Sequence, residues 1–107
     1  MSWRVIMPLA ELPEGQVREA KVGDDALALC RVGAREIYAL ENACSHDSAP
    51  LGVGRLEGAE VRCPRHGARF DVRDGRALCM PAVAPIETFP ARINDDGQIE
   101  VELEEDP

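Results

Sequence analysis

Two short Cys/His pairs are the residues of this sequence whose types and spacing could do chemistry. Cys44 lies two residues before His46, Cys63 lies three residues before His66, and the chain has no other histidine. Sixteen residues separate the two pairs. Thiolate and imidazole groups together are ligands for zinc or for an iron-sulfur cluster. The pattern predicts a metal site built from two loops, each of which supplies one thiolate and one imidazole.

The order of the ligand types distinguishes the alternatives. A single Cys/His pair would most simply be two unrelated loop residues, since short motif matches are often spurious, but two matched pairs favour a shared site. Structural zinc sites commonly group Cys with Cys and His with His. The order Cys-His followed by Cys-His instead favours a mixed iron-sulfur cluster. Pro64 and Gly67 suit a tight second loop, because Pro fixes one backbone angle and Gly frees others.

Length and charge limit the class of protein. The chain has 107 residues, enough for one core, and we expect a single domain over residues 1–107. Its net charge of -8 argues against a nucleic-acid partner, because a polyanion would be repelled. We find neither an export signal nor a run of the ~20 apolar residues that a membrane span needs. These features predict a cytoplasmic protein whose four cysteines bind metal or stay reduced.

Short apolar stretches between glycines and prolines predict an all-β fold with no amphipathic helix. Residues 26–32 read as a buried strand in a hairpin with 36–40, and the alternating residues 99–103 predict a second hairpin with 89–93. Further strands are expected around Trp3–Met7, Gln16–Val22, Val61 and Phe70. Strand periodicity weakens over residues 42–85, so this stretch is the candidate site inserted into a β scaffold.

The segments 44–46 and 63–71, Cys-Ser-His and Cys-Pro-Arg-His-Gly-Ala-Arg-Phe-Asp, resemble the paired loops of Rieske proteins. The resemblance extends from about Val5 to Val101 and is strongest at the two loops. It implies a β-sandwich of short antiparallel strands with an inserted cluster-binding subdomain over about residues 42–85.

The same resemblance implies one 2Fe-2S cluster and its ligands. Cys44 and Cys63 would hold the inner iron, and His46 and His66 would hold the outer iron near solvent. Two ferric ions, two sulfides and two thiolates sum to zero charge, whereas four thiolates would make each redox state two units more negative. Reduction is therefore easier with histidine ligands. Imidazoles at the surface would also couple reduction to proton binding.

The residues at four positions indicate which branch of the Rieske family the chain resembles. High-potential Rieske proteins have a disulfide between cysteines at the places of Ala49 and Arg65. They also have a Ser and a Tyr, whose hydroxyls donate to sulfur, where this chain has Ala68 and Phe70. Without those donors the reduced state is less stabilised. We therefore expect the reduction potential of the cluster to lie toward the low end of the Rieske range of about -150 to +300 mV.

This pattern resembles the ferredoxin components of bacterial aromatic-ring oxygenase systems. It implies a monomeric electron carrier that is not itself an enzyme. Single electrons would come from an NAD(P)H-dependent flavin reductase and pass to a terminal ring-hydroxylating oxygenase, both through transient contacts. A mononuclear iron site is not expected, because the cluster uses both histidines. The alternatives are a small Rieske subunit of another redox complex, such as a nitrite-reductase-like assembly, and a redox or iron sensor.

Weaker signals lie in and around the same stretch. Residues 54–80 contain six arginines and four carboxylates, for a local charge of +2. The arginines are Arg55, Arg62, Arg65, Arg69, Arg73 and Arg76. They form either a solvated face with weak ion pairs or a charge asymmetry that orients redox partners, with Arg65 the best single candidate.

One segment and two cysteines of the sequence are interpreted as structural and not as cluster ligands. Met80–Pro85 resembles the third loop that covers the cluster in Rieske proteins, although an ordinary Pro-bounded loop is an equal alternative. Cys30 is expected to be a small buried apolar residue. Cys79 is not expected to be a ligand, because the set of four is already complete.

Overall fold

The computed structural model describes residues 2–45, 49–65, 67–80 and 84–104. Within these ranges the fold is all-β, as predicted, with two single 3-10 turns at Leu9–Glu11 and Leu51–Val53. No helix in them is long and apolar enough to cross a membrane. The strands are β1 (Ser2–Pro8), β2 (Val17–Val22), β3 (Asp25–Gly33), β4 (Glu36–Glu41), β5 (Arg55–Glu57), β6 (Glu60–Arg62), β7 (Arg69–Asp71), β8 (Thr88–Phe89), β9 (Ala91–Ile93) and β10 (Gln98–Leu103).

The strands form three antiparallel sheets. Sheet one has the order β1-β10-β9, sheet two the order β2-β3-β4-β8, and sheet three the order β5-β6-β7. Both predicted hairpins are confirmed: β3 pairs with β4, and β9 pairs with β10. Sheet three lies between β4 and β8 in the sequence, inside the segment 42–85 in which the site was expected.

Strand β3 of sheet two is buried on both faces, so sheet two is the central layer of the fold. Leu27 and Leu29 point into a cluster shared with Ile99 and other residues of sheet one. The alternate residues of β3, Ala28 and Cys30, belong to a second cluster shared with sheet three. Successive side chains of a strand point to opposite faces. A strand covered on both sides therefore reads as the continuous apolar run seen at 26–30.

The stretch 89–93 was expected to be one strand, and this prediction was wrong. Phe89 pairs with Ala39 in sheet two, whereas Ala91 pairs with Val101 in sheet one. Pro90 lies between them, has no N–H to donate to a ladder, and fixes one backbone angle. The chain therefore passes from one sheet to the other at Pro90, whose carbonyl accepts from the N–H of Glu102 at 2.9 Å.

Sheet three supports the candidate site. Val61 of β6 and Phe70 of β7 pair with each other and are fully buried. The sequence did not predict β5, whose three residues include a single apolar side chain, Leu56. A turn at Gly58, where φ is +60°, joins β5 to β6. The connection from β6 to β7 is the loop that begins at Cys63.

Two glycines of similar conformation provide a matched test of the packing. Gly75 has φ +78° and Gly97 has φ +75°, but only at Gly75 would an added Cβ meet backbone, 2.1 Å from the Ile86 carbonyl oxygen. Gly97→Ala should cost about 1–2 kcal/mol from its left-handed conformation alone. Gly75→Ala should cost clearly more, because the backbone near Ile86 must move. Urea unfolding of both variants measures this, and equal losses would refute the close approach.

Candidate metal centre

The second predicted ligand loop is closed by its own backbone. The N–H of Cys63 donates to the carbonyl of Ala68 at 2.7 Å, and the N–H of Gly67 donates to the carbonyl of Cys63 at 3.1 Å. Gly67 has φ +75°, a conformation that favours glycine. The loop thus leaves β6 at Cys63 and returns to β7 within a few residues. His66 lies in this loop but outside the described residues.

The first predicted ligand loop has the same closure. The N–H of Cys44 donates to the carbonyl of Ala49 at 2.8 Å, again a span of five residues. His46 falls within this span and, like His66, lies outside the described residues. Two loops of different sequence therefore share the same backbone hydrogen bond, from a cysteine N–H to the carbonyl five residues further on, and each span contains a histidine in its sequence.

The structure brings the two cysteines into one buried cluster. Cys44 is 2% exposed and Cys63 is 1% exposed, and both pack in the group that contains Leu51 and Phe70. Among the described residues, no group of three or more Cys, His, Asp or Glu side chains is arranged to bind a metal. The two buried thiols are thus the predicted ligands that the described residues include.

An amide anchors the first loop at both ends. The side chain of Asn42 donates to Oε2 of Glu19 at 2.8 Å, and its Oδ1 accepts from the N–H of Gly52 at 2.7 Å. Gly52 packs so closely on β2 that an added Cβ would lie 2.9 Å from the Glu19 backbone. Asn42 thus fixes the chain before Cys44 and after Ala49 to the edge of sheet two.

Residues at the two ends of the predicted third loop contact both ligand loops. The hydroxyl of Ser45 donates to the carbonyl of Ala84 at 2.6 Å, and the thiol of Cys79 lies 3.8 Å from the carbonyl of Gly67. Residues 81–83, in the middle of the Met80–Pro85 segment, lie outside the described residues. The chain on either side of them is therefore fixed once to each ligand loop.

A buried carboxylate stabilises the turn after β7. Asp71 is 4% exposed, and its two oxygens accept from Nε and Nη2 of Arg73 at 3.0 and 2.9 Å. The side-chain hydrogen bond from Arg73 is the main cause that lowers the pKa of Asp71. Gly75 closes the turn by donating to the carbonyl of Asp71 at 2.7 Å, and its own carbonyl accepts from Ile86 at 2.9 Å. The turn thereby joins sheet three to the chain leading into β8.

The remaining arginines of segment 54–80 divide into two groups. Arg69 lies 3.6 Å from Glu57 and 3.5 Å from Glu60, and Arg76 lies 3.6 Å from Asp71. Arg69 and Arg76, together with Arg73, are thus in ion pairs of sheet three. The other group, Arg55, Arg62 and Arg65, lines a cleft beside the second ligand loop.

The positions that mark the branch of the family are buried and apolar, except Arg65. Ala49, Ala68 and Phe70 are at most 4% exposed, and none has a side-chain group that could donate to sulfur. Arg65 is exposed and lines the cleft. At these four places the chain has neither the disulfide nor the hydroxyl donors of high-potential relatives.

The fold and the paired loops define a small all-β domain whose centre lies between two cysteine loops. Residues 2–90 match the family model of the Rieske [2Fe-2S] domain, and the chain belongs to this family. It therefore has one Rieske-type 2Fe-2S cluster. Cys44 and Cys63 fit such a cluster, because both thiols are buried in the same apolar group and iron-sulfur clusters take thiolate ligands.

Relatives of known role cover nearly the whole chain. It is 46% identical over 96 residues to the ferredoxin component of the naphthalene 1,2-dioxygenase system of Pseudomonas aeruginosa, covering 90% of this chain and 89% of that one. It also resembles the ferredoxin of carbazole 1,9a-dioxygenase from Nocardioides aromaticivorans IC177, at 30% identity and a TM-score of 0.88 over 94% of this chain and 97% of that one.

A further solved structure shows such a protein with its partner. It is a complex of reduced oxygenase and oxidised ferredoxin in carbazole 1,9a-dioxygenase. One chain of it is 32% identical to this protein, with a TM-score of 0.84 over 95% of this chain and 97% of that one.

Sequence reasoning missed three residues that hold the site. Asn42, Ser45 and Asp71 each use a side chain to fix a loop or turn. Short polar side chains next to turns commonly bond to nearby backbone, and all three lie beside the Cys/His loops. That signal marks them as candidates, but their partners are distant in sequence for Asn42 and Ser45.

Asn42→Ala should loosen the first ligand loop. The change removes two hydrogen bonds and leaves the N–H of Gly52 without its acceptor, at a cost of about 1–3 kcal/mol. Loss of the visible absorbance in excess iron chelator should become faster than in the parent protein. Gln16→Ala is the control, because Gln16 bonds to Pro13 and Arg31 through its backbone, which the change keeps. Similar rates in the two variants would count against the anchor.

The two cysteines outside the ligand loops should differ in reactivity. Burial raises the pKa of Cys30 to about 12, whereas Cys79 is exposed. Since its pKa is raised on folding, Cys30 contributes stability that is fully present below its unfolded pKa of ~8.5 and is lost as pH rises toward 12. Iodoacetamide at pH 8.5 should label Cys79 and spare Cys30 until urea unfolds the chain, as read by mass spectrometry. Labelling of native Cys30 at that pH would contradict its burial.

Proposed function

We propose that this protein is the electron-carrying ferredoxin component of an aromatic-ring dioxygenase system. The observation that carries the proposal is the 46% identity to a ferredoxin component over 90% of the chain. The likeness to a ferredoxin chain in a complex with an oxygenase points to the same role. In this role the protein is not an enzyme, and oxygenation takes place in its partner.

We assign the cluster ligands as Cys44, His46, Cys63 and His66. The closure of each loop by its own cysteine, and the burial of both thiols in one cluster, support the cysteine assignments. The histidines are assigned because each lies, in sequence, within the span that its cysteine closes, at the position that the resemblance to Rieske proteins implies. When bound, the cluster takes up and releases one electron at a time.

The surroundings of the thiols favour a low potential. Apolar packing of Cys44 and Cys63 excludes water from their side of the site. Ala68 and Phe70 donate no side-chain hydrogen bond to sulfur, so the reduced and more negative state gains no stabilisation there. We therefore place the potential toward the low end of the Rieske range of about -150 to +300 mV.

The partners follow from the role. We infer that a flavin-dependent reductase using NADH or NADPH supplies the electron and that a terminal oxygenase accepts it. Both contacts are transient, because a carrier must dissociate from one partner to meet the other. We further infer that the protein is a monomer in the cytoplasm, where reduced nicotinamides are available.

Cluster content and ligand substitutions test this assignment together. Purified protein should contain two irons and two acid-labile sulfides per chain, and should pass one electron to a terminal oxygenase. Cys63→Ser should lose the visible spectrum, whereas Cys30→Ser should keep it. His66→Cys should lower the potential by adding negative ligand charge, or lose the cluster. Protein that contains only zinc, or a spectrum bleached by Cys30→Ser, would overturn the ligand set.

A further inference from the structure

A cleft of ≈ 520 Å³ lies beside the second ligand loop. One side is formed by residues 53–55 after the first loop, and the other by residues 62–65 and Gly67. Cys63, assigned above as a ligand, is among the lining residues. A group that enters this cleft therefore comes next to the loop that holds one half of the metal centre.

The cleft is strongly basic. Arg55, Arg62 and Arg65 line it, and all three are exposed. Among the described residues that line it there is no carboxylate. Glu57 lies 4.0 Å from Arg62, but it also lies 3.6 Å from Arg69 and is outside the lining. The carboxylates of sheet three thus pair mainly with Arg69, Arg73 and Arg76. Within the part of the chain that the structure describes, Arg55 has no ion pair, so it gives the cleft a positive charge.

This charge opposes the rest of the molecule. The chain carries -8 in total and segment 54–80 carries +2, so the remainder carries -10. An acidic partner surface is repelled by most of the protein and attracted at the cleft. Such an asymmetry orients an encounter and raises its rate, most of all at low salt.

The shape of the cleft suits carboxylate side chains. The guanidinium of Arg62 lies close to Gly67, where an added Cβ would be 3.4 Å from Nη2, so it stands beside the ligand loop. Guanidinium groups bind carboxylates through two parallel hydrogen bonds. Val53, 56% exposed, and the exposed Pro64 border the same cleft. Apolar contacts at such a rim exclude water from the charged pairs and strengthen them.

We propose that this arginine cleft binds Asp or Glu side chains on the surface of the terminal oxygenase and so sets the orientation in which the electron is transferred. The proposal rests on the proposed function, since it concerns the same electron-transfer contact. It names the recognition chemistry: carboxylates of the partner beside the loop that contains Cys63 and His66.

Charge reversal inside and outside the cleft tests this. Arg55→Glu changes the cleft, and Arg4→Glu makes the same change in net charge at an exposed position of β1, in sheet one. The rate constant for oxygenase reduction by the reduced ferredoxin is measured by stopped flow across a salt series. Arg55→Glu should lower it about tenfold at low salt and flatten its salt dependence, whereas Arg4→Glu should change it less than twofold. Unchanged potentials and visible spectra exclude an effect on the cluster.

The possible results distinguish a failure of the cleft proposal from a failure of the proposed function. Equal slowing by the two variants would mean that only net charge matters, and would overturn the cleft. If inorganic phosphate binds the parent protein but not Arg55→Glu, while the two variants reduce the oxygenase at equal rates, the cleft is a small-anion site instead and the proposal is overturned. If an Asp→Arg or Glu→Arg change on the oxygenase restores the rate of Arg55→Glu, the proposed pairing is supported. If the parent ferredoxin fails to reduce any terminal oxygenase, the proposed function itself fails.

Discussion

The thiols of Cys44 and Cys63 pack in the same buried cluster that holds sheet two against sheet three. The fold and the metal centre therefore depend on one set of apolar contacts. Each large side chain in that cluster contributes on the order of 1.5–3 kcal/mol through burial, and close packing leaves it little freedom to shift. The cysteines are consequently held near their positions by the protein itself. A centre fixed in this way needs little rearrangement when its charge changes.

Hydrogen bonds fix the ligand loops to the rest of the fold where apolar packing does not. Asn42 fixes the first loop to β2, Ser45 donates to the end of the predicted third loop, and Asp71 with Arg73 stabilises the turn behind the second loop. Relatives with a disulfide join their ligand loops covalently. Here the residues at those places are Ala49 and Arg65, and separate hydrogen bonds fix the loops to neighbouring parts of the fold.

The distribution of charge suits a protein that must bind and release its partners. Exposed ion pairs such as those of Arg69 add little to stability, because solvent screens them and ordering long side chains has an entropic cost. Their effect is to neutralise one part of sheet three and leave a positive charge in the cleft at Arg55. Electrostatic attraction of this kind raises encounter rates more than affinity, which favours rapid turnover of a carrier.

The sequence by itself determined the local features of this protein. Strand periodicity and turn residues predicted both hairpins, and the types and spacing of the Cys/His pairs predicted the centre. Only the tertiary structure decided that the chain changes sheets at Pro90, that β5 forms, that Asn42 bridges Glu19 and Gly52, and that three arginines line the cleft. Periodicity and ligand spacing act over a few residues, whereas these contacts join residues far apart along the chain or depend on packing that no short segment contains.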